Sequence, residues 1–207
     1  MAELVYIDFD REKLKLDVCF RQEAALAAIK ESAPEARTLP KIDKVYDKLY
    51  FPAAPSGRPY TVSSIVLSAD GKMAFTDNPA GPVVAKNNFF DPAGALADFW
   101  ILNAVRCFCD GIIMGARTLQ TEENNTSHIF DADLLSQRRE LFGKQKHPHN
   151  IVVSFDGTDI PLDHLIFNIS KGQHFHVVIA TSSVGGEYLQ RQDNSRLRFF
   201  GPYTEVG

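Results

Sequence analysis

Residues 59–72 read P-Y-T-V-S-S-I-V-L-S-A-D-G-K, and the rest of the chain is expected to be organised around this run. Val62, Ile65, Val66 and Leu67 give it the apolar and β-branched content of a strand with one or both faces buried. Asp70-Gly71 ends the run as a tight turn, and Lys72-Met73-Ala74-Phe75 follows as a short apolar stretch. Ser63, Ser64 and Ser68 are small polar residues inside the expected strand, and small side chains let a ligand approach the backbone. A plain core strand with satisfied hydroxyls fits the same residues, so the stretch alone leaves both readings open.

A second stretch works with the first. Asp110-Gly111-Ile112-Ile113-Met114-Gly115-Ala116-Arg117-Thr118-Leu119 reads as a buried central strand, a glycine turn and a helix start. Glycine permits close backbone approach, and the N–H groups of a helix start attract phosphate. Arg117 adds a cation and Thr118 a hydroxyl. Further strands are expected at Asn150–Ser154, Ile160–Leu162 and His176–Thr181.

Between these strands, Asp91-Pro92 is a strong helix start, with Asp as N-cap and Pro at the first helical position. That helix is expected to reach about Arg106, with Leu96, Phe99, Trp100, Leu102 and Val105 on its apolar face. A second helix is expected over Asp131–Phe142, with Leu134, Leu135 and Leu141 facing inward. Short apolar stretches alternating with helices imply an α/β fold around a mostly parallel sheet. Residues 1–58 read as an N-terminal extension: a short strand at Leu4–Ile7, a helix over Arg21–Ser32, another over Ile42–Tyr50, and a linker at Ala53–Gly57.

The bulk properties narrow the class. The 207 residues suffice for one sizeable domain, or for one domain with an appended segment. A net charge of −4 gives no basic field for nucleic acid. No 18-residue apolar run exists to span a membrane, and the N-terminus lacks the basic start and apolar core of a signal peptide. An odd set of cysteines (Cys19, Cys107 and Cys109) without a secretory signal fits a reducing, cytoplasmic compartment. Cys107 and Cys109 read as small buried residues near a helix end. Of the histidines, His174 and His176 share one strand face, with no third ligand evident, so no metal site is expected.

Taken together, R-P-Y-T-V-S-S-I-V-L-S-A-D-G-K-M-A, the helix ending Ala104-Val105-Arg106, and D-G-I-I-M-G-A-R-T-L resemble the RibD C-terminal family, the reductase domain of riboflavin biosynthesis. The resemblance covers about Pro59 to Phe200. It implies a dihydrofolate reductase-like three-layer sandwich over residues 59–207. It also implies an NADPH-dependent oxidoreductase that reduces the ribose of a ribosylamino-pyrimidine phosphate to a ribityl chain. In such a protein the cofactor carries the hydride, and the chain supplies binding, orientation and electrostatics. By this resemblance Gly115, Arg117, Thr118 and Leu119 meet the NADPH phosphates. Ser154 lies near the adenosine ribose and its 2′-phosphate. Leu67, Ser68 and Asp70 lie near the nicotinamide and substrate ends, with Ser64 and Glu122 on the substrate side. Asp70 also fits a turn-holding role. The catalytic proton donor stays open among Asp70, Glu122 and water. The resemblance further implies a homodimer.

The chain departs from the family pattern in three places. Ser64 stands where bacterial bifunctional members often carry a lysine. Glu122-Glu123-Asn124 replaces an Asp-Asn-Pro or Asp-Asp-Pro segment. Members also continue past the strand matched by Leu197–Phe200 with a helix, a strand ending in Glu-Gly-Gly, and closing strands that serve dimerisation. This sequence stops at Gly207, which implies a shortened domain or a fold completed another way. Gly185-Gly186 follows the wrong strand to replace the Glu-Gly-Gly segment. Two other readings are a dihydrofolate reductase-like enzyme acting on another heterocycle, and a nucleotide-binding or scaffolding protein that has lost turnover.

Overall fold

A computed structural model describes residues 2–14, 16–33, 36–86, 88–144, 146–192 and 197. In chain order the elements are α1 (Glu23–Ser32), β1 (Ala36–Arg37), α2 (Pro40–Val45), β2 (Leu49–Tyr50), α3 (Val83–Lys86), α4 (Pro92–Phe108), β3 (Gly111–Gly115), α5 (Ala116–Thr121), α6 (Ala132–Phe142), β4 (His149–Val153), β5 (Val177–Ala180) and α7 (Ser183–Arg191). The expected strand at Leu197–Phe200 falls largely outside the described residues. No helix among the described residues is long and apolar enough to cross a membrane.

The chain divides into two compact units, and the division does not follow the boundary between residues 58 and 59. A sheet unit takes in the described parts of Met1–Leu4, Asp110–Ser127 and Pro148–Gly207. A helical unit takes in those of Val5–Cys109 and His128–His147.

In the sheet unit, β3, β4 and β5 form a parallel sheet in that order. Ile113 pairs with Ile151, which pairs with Val178. One face is covered: Met114, Val152, Ala116, Leu119, Ile160, Ile166 and Leu189 form its core. The other face, by the two-residue alternation of strands, carries Ile113, Val153 and Val178, all exposed. Asp110–Met114 is therefore correct as a strand but not as a central one: among the described residues β4 is central and β3 lies at an edge. Ile160–Leu162 is no strand; Pro161 and Leu162 belong to a turn closed by the His164 N–H on Pro161 O at 2.9 Å.

The helical unit is built on α4. The Asp91 carboxylate caps it by accepting from Gly94 N–H at 2.8 Å, with Pro92 in the first turn, as the sequence dictates. Its buried side runs through Ala97, Trp100, Asn103, Ala104 and Cys107, whereas Leu96 is exposed. Trp100 packs with Phe9, Leu39, Ile42, Ile129 and Leu134. The Arg138 guanidinium donates to Cys107 O and to Cys109 O at 3.0 Å, placing a cation on the orphan carbonyls at the end of α4. Asp131 caps α6 by accepting from Asp133 and Leu134 N–H at 3.0 and 3.1 Å. Leu134 and Leu135 face inward as expected, but Leu141 is exposed.

Charged groups lie inside this unit. The Lys41 ammonium, itself buried, pairs with Asp131 at 2.8 Å and Asp133 at 3.0 Å, and Trp100 Nε1–H donates to Asp131 Oδ2 at 3.0 Å. Burial pulls the Lys41 pKa down, but the hydrogen bonds it donates to Asp131 and Asp133 outweigh it and hold the ammonium above the ordinary lysine value. The helix expected over Ile42–Tyr50 is shorter and earlier, because Pro40 starts it and the chain turns out after Val45 into β2, which pairs antiparallel with β1. Leu4–Ile7 forms no named strand; Ile7 makes an isolated bridge to Asp131.

The largest correction concerns residues 59–72. They form no strand, and Val62, Ile65 and Leu67 are exposed. A strand needs a partner edge as well as β-branched side chains, and among the described residues none pairs here. The Asp-Gly turn, which depends only on local bonds, is present. Ser68 N–H donates to Lys72 O and Gly71 N–H to Ser68 O, each at 2.9 Å. Gly71 takes a φ of +82°, a conformation glycine alone adopts without cost.

Candidate functional site

The carboxyl ends of parallel strands are where open α/β sheets bind ligands, and the sheet unit gathers several expected residues there. β3 ends at Gly115 and α5 begins at once with Ala116. Gly115 is exposed, its φ of −74° is open to any residue, and a Cβ placed on it meets nothing within 4 Å. Neither backbone conformation nor packing therefore requires glycine at this turn. Arg117 is exposed and Thr118 half-buried one step into α5. Leu119 is buried at 1% exposure in the sheet core, so its side chain faces away from any surface ligand.

Ser154 follows β4 directly. Its hydroxyl accepts from Gly157 N–H at 2.9 Å and donates to the Asp159 carboxylate. Gln120 Nε2–H, from α5, donates to Asp159 O at 2.8 Å. Beyond β5, Ser182 caps α7 by accepting from Gly185 N–H at 3.3 Å and donates to Phe155 O at 2.6 Å. The loop 154–159 is thus pinned across the strand ends from both sides. It presents the ring of Phe155, 83% exposed. Phe155 and Ser182 were not singled out by sequence reasoning. Ser182, two residues past an apolar run and followed by Ser-Val-Gly-Gly, carries a readable cap signal; the exposure of Phe155 has no sequence signature.

Glu122 ends α5. Its carboxylate accepts from Asn125 Nδ2–H at 2.7 Å, and its carbonyl bonds His164 Nε2 at 3.0 Å.

Within the helical unit, Ser64 and Leu67 are exposed. Ser68 donates to Asp70 Oδ1 at 2.5 Å, and the Lys72 ammonium pairs with the other Asp70 oxygen. Ser68, Asp70, Lys72 and Phe75 help line an open concavity. Lys72 first, and Ser68 second, hold the Asp70 carboxyl below the usual carboxylate range. Asp70 is therefore ionised at neutral pH, a poor state for a proton donor, and its bonds are those of a turn.

Cys107 is buried and its thiol is pushed up by that burial, which makes it inert packing. Among the described residues no group of three or more His, Cys, Asp or Glu side chains converges as a metal cage. No protein-family model matches the chain, and no curated protein or solved structure matches it either.

Proposed function

We propose that the chain is a nicotinamide-nucleotide protein of the riboflavin-reductase type, with a dihydrofolate reductase-like arrangement and NADPH as the cofactor. The observation that carries this reading is the β3–α5 junction. A glycine that the fold does not need stands at the carboxyl end of a parallel strand, beside an exposed arginine and a hydroxyl. Close approach of a pyrophosphate to the backbone is a reason for glycine where folding supplies none. In this reading Gly115 and Arg117 meet the phosphates, and Phe155 offers a ring face to a base. Ser154, already bonded to Asp159, acts by holding the loop that presents Phe155. The substrate is a ribosylamino-pyrimidine phosphate, reduced by the bound nucleotide.

A second reading, nucleotide binding without turnover, is favoured by one observation. The Ser64–Asp70 segment that would supply the substrate side forms no strand among the described residues, and Asp70 is bound to Lys72 and Ser68.

Titration with NADPH and with NADH, read by nucleotide fluorescence, tests both. We expect saturable NADPH binding, weaker NADH binding, and an affinity at least about tenfold lower in Gly115→Val with thermal stability nearly unchanged. Equal affinity in Gly115→Val, or no binding by the wild type, refutes the site. Binding without oxidation of NADPH in the presence of pyrimidine or pterin substrates selects the second reading.

A further inference from the structure

The sequence pairs His174 with His176 on one strand face; the fold gives His176 a different neighbour. His149 opens β4, and His176 stands immediately before β5. Because Asn150 is in register with Val177, the two histidines sit side by side one residue earlier. Their ring centroids are 5.6 Å apart, with the planes inclined by 49°. Both are exposed. Alternation puts them on the face opposite buried Asn150 and Val152, and the residue in the same row on β3 is Gly111, which adds no side chain of its own. The main chain beneath them is fixed: His149 N–H donates to Asp110 O and His176 O accepts from Asn150 N–H, each at 2.9 Å.

These dimensions match a shared metal ion. A zinc–imidazole bond is about 2.0–2.1 Å and lies along the line from ring centre to nitrogen, which places each centroid about 3.2 Å from the ion. Two such rings at a tetrahedral angle have centroids about 5.2 Å apart, close to the separation seen. Stacked imidazoles would lie nearer parallel. Imidazole is a preferred ligand of zinc-type ions.

We propose that His149 and His176 form a two-imidazole site for a divalent ion of the zinc type at the amino ends of β4 and β5, with water completing the tetrahedron. The site does not depend on the nucleotide reading: Ser154 is at the other end of β4, about 16 Å away at strand rise.

Calorimetric titration of the full chain with zinc chloride tests this, alongside His149→Ala, His176→Ala and His174→Ala. The expected result is saturable binding of one ion per chain, weakened at least about tenfold by either of the first two changes and unaltered by the third. Zinc must also shift the imidazole proton resonances of His149 and His176 in the unaltered chain, a readout that needs no variant. Absence of saturable binding, wild-type affinity in either alanine variant, or zinc shifts confined to other histidines overturns the proposal.

Discussion

The sheet unit and the helical unit solve burial in opposite ways. The sheet core is aliphatic, made of Met114, Ala116, Leu119, Val152, Ile160, Ile166 and Leu189. The helical core sets a tryptophan against charge: Trp100 bonds Asp131, Asp131 holds Lys41, and Arg106, Arg138, His128 and His147 are buried in the same unit. Apolar burial is nondirectional and indifferent to pH. A buried charge network is stable only while each member keeps its partner and its protonation state. The two units should therefore respond differently to single substitutions and to acid.

The largest expected effect comes from removing Asp131. It caps α6, accepts the Trp100 N–H and neutralises Lys41, so Asp131→Ala breaks three arrangements at once. Urea denaturation should show a loss of about 3–5 kcal/mol. Lys41→Met leaves Asp131 its N–H donors and should cost less. Equal costs for Asp131→Ala and Lys41→Met would mean that the pair, rather than the cap, carries the stability. Lys41 also sets an alkaline limit: its pKa is raised in the fold, so its contribution is present below the ordinary lysine value and is lost as pH rises through the raised one.

Acid sharpens the contrast. His128 is buried, and its Nε2–H donates to Val5 O at 2.7 Å. Burial, with a smaller push from Arg106, lowers its pKa to about 4. The unfolded chain takes up this proton near pH 6.5 and the folded chain only near 4. The stabilisation is thus complete above about pH 6.5 and is lost as pH falls towards 4, by about 3 kcal/mol in total. His128→Gln keeps a donor for Val5 O and removes the titration. Between pH 7 and 4 the wild type should lose about 3 kcal/mol more than this variant; parallel losses would show that His128 is already charged in the fold.

How much of this was legible in the sequence depended on whether the cause was local. Asp91-Pro92 and Asp131 are caps, and both helices begin where those residues place them. The Asp70-Gly71 turn closes on its own bonds, and it formed as read. Apolar runs at 111–115, 149–153 and 177–180 became strands because they pair with one another. The run at 59–67 has equal strand content and no partner among the described residues, and sequence gives no measure of an absent edge. The site divided similarly. Gly115 and Ser154 lie at the ends of β3 and β4, positions that sequence shows because strand ends are readable. The bond from Ser154 to Asp159, the exposure of Phe155 and the approach of His149 to His176 all depend on which strands become neighbours.

That contrast gives the smallest expected effect and the sharpest check on the corrected reading of residues 59–67. Leu119 and Ile65 were both assigned to strand-and-turn motifs, yet Leu119 is 1% exposed and Ile65 is 58% exposed. Leu119→Ala removes side-chain volume from a closed aliphatic core and should cost about 2–5 kcal/mol in urea denaturation. Ile65→Ala removes a similar volume from the surface and should stay within about 0.5 kcal/mol. Strand propensity cannot separate the two, since isoleucine favours a strand more than leucine does; burial can. A cost above about 2 kcal/mol for Ile65→Ala would mean that residues 59–67 are buried in a strand after all, as their β-branched content leads one to expect.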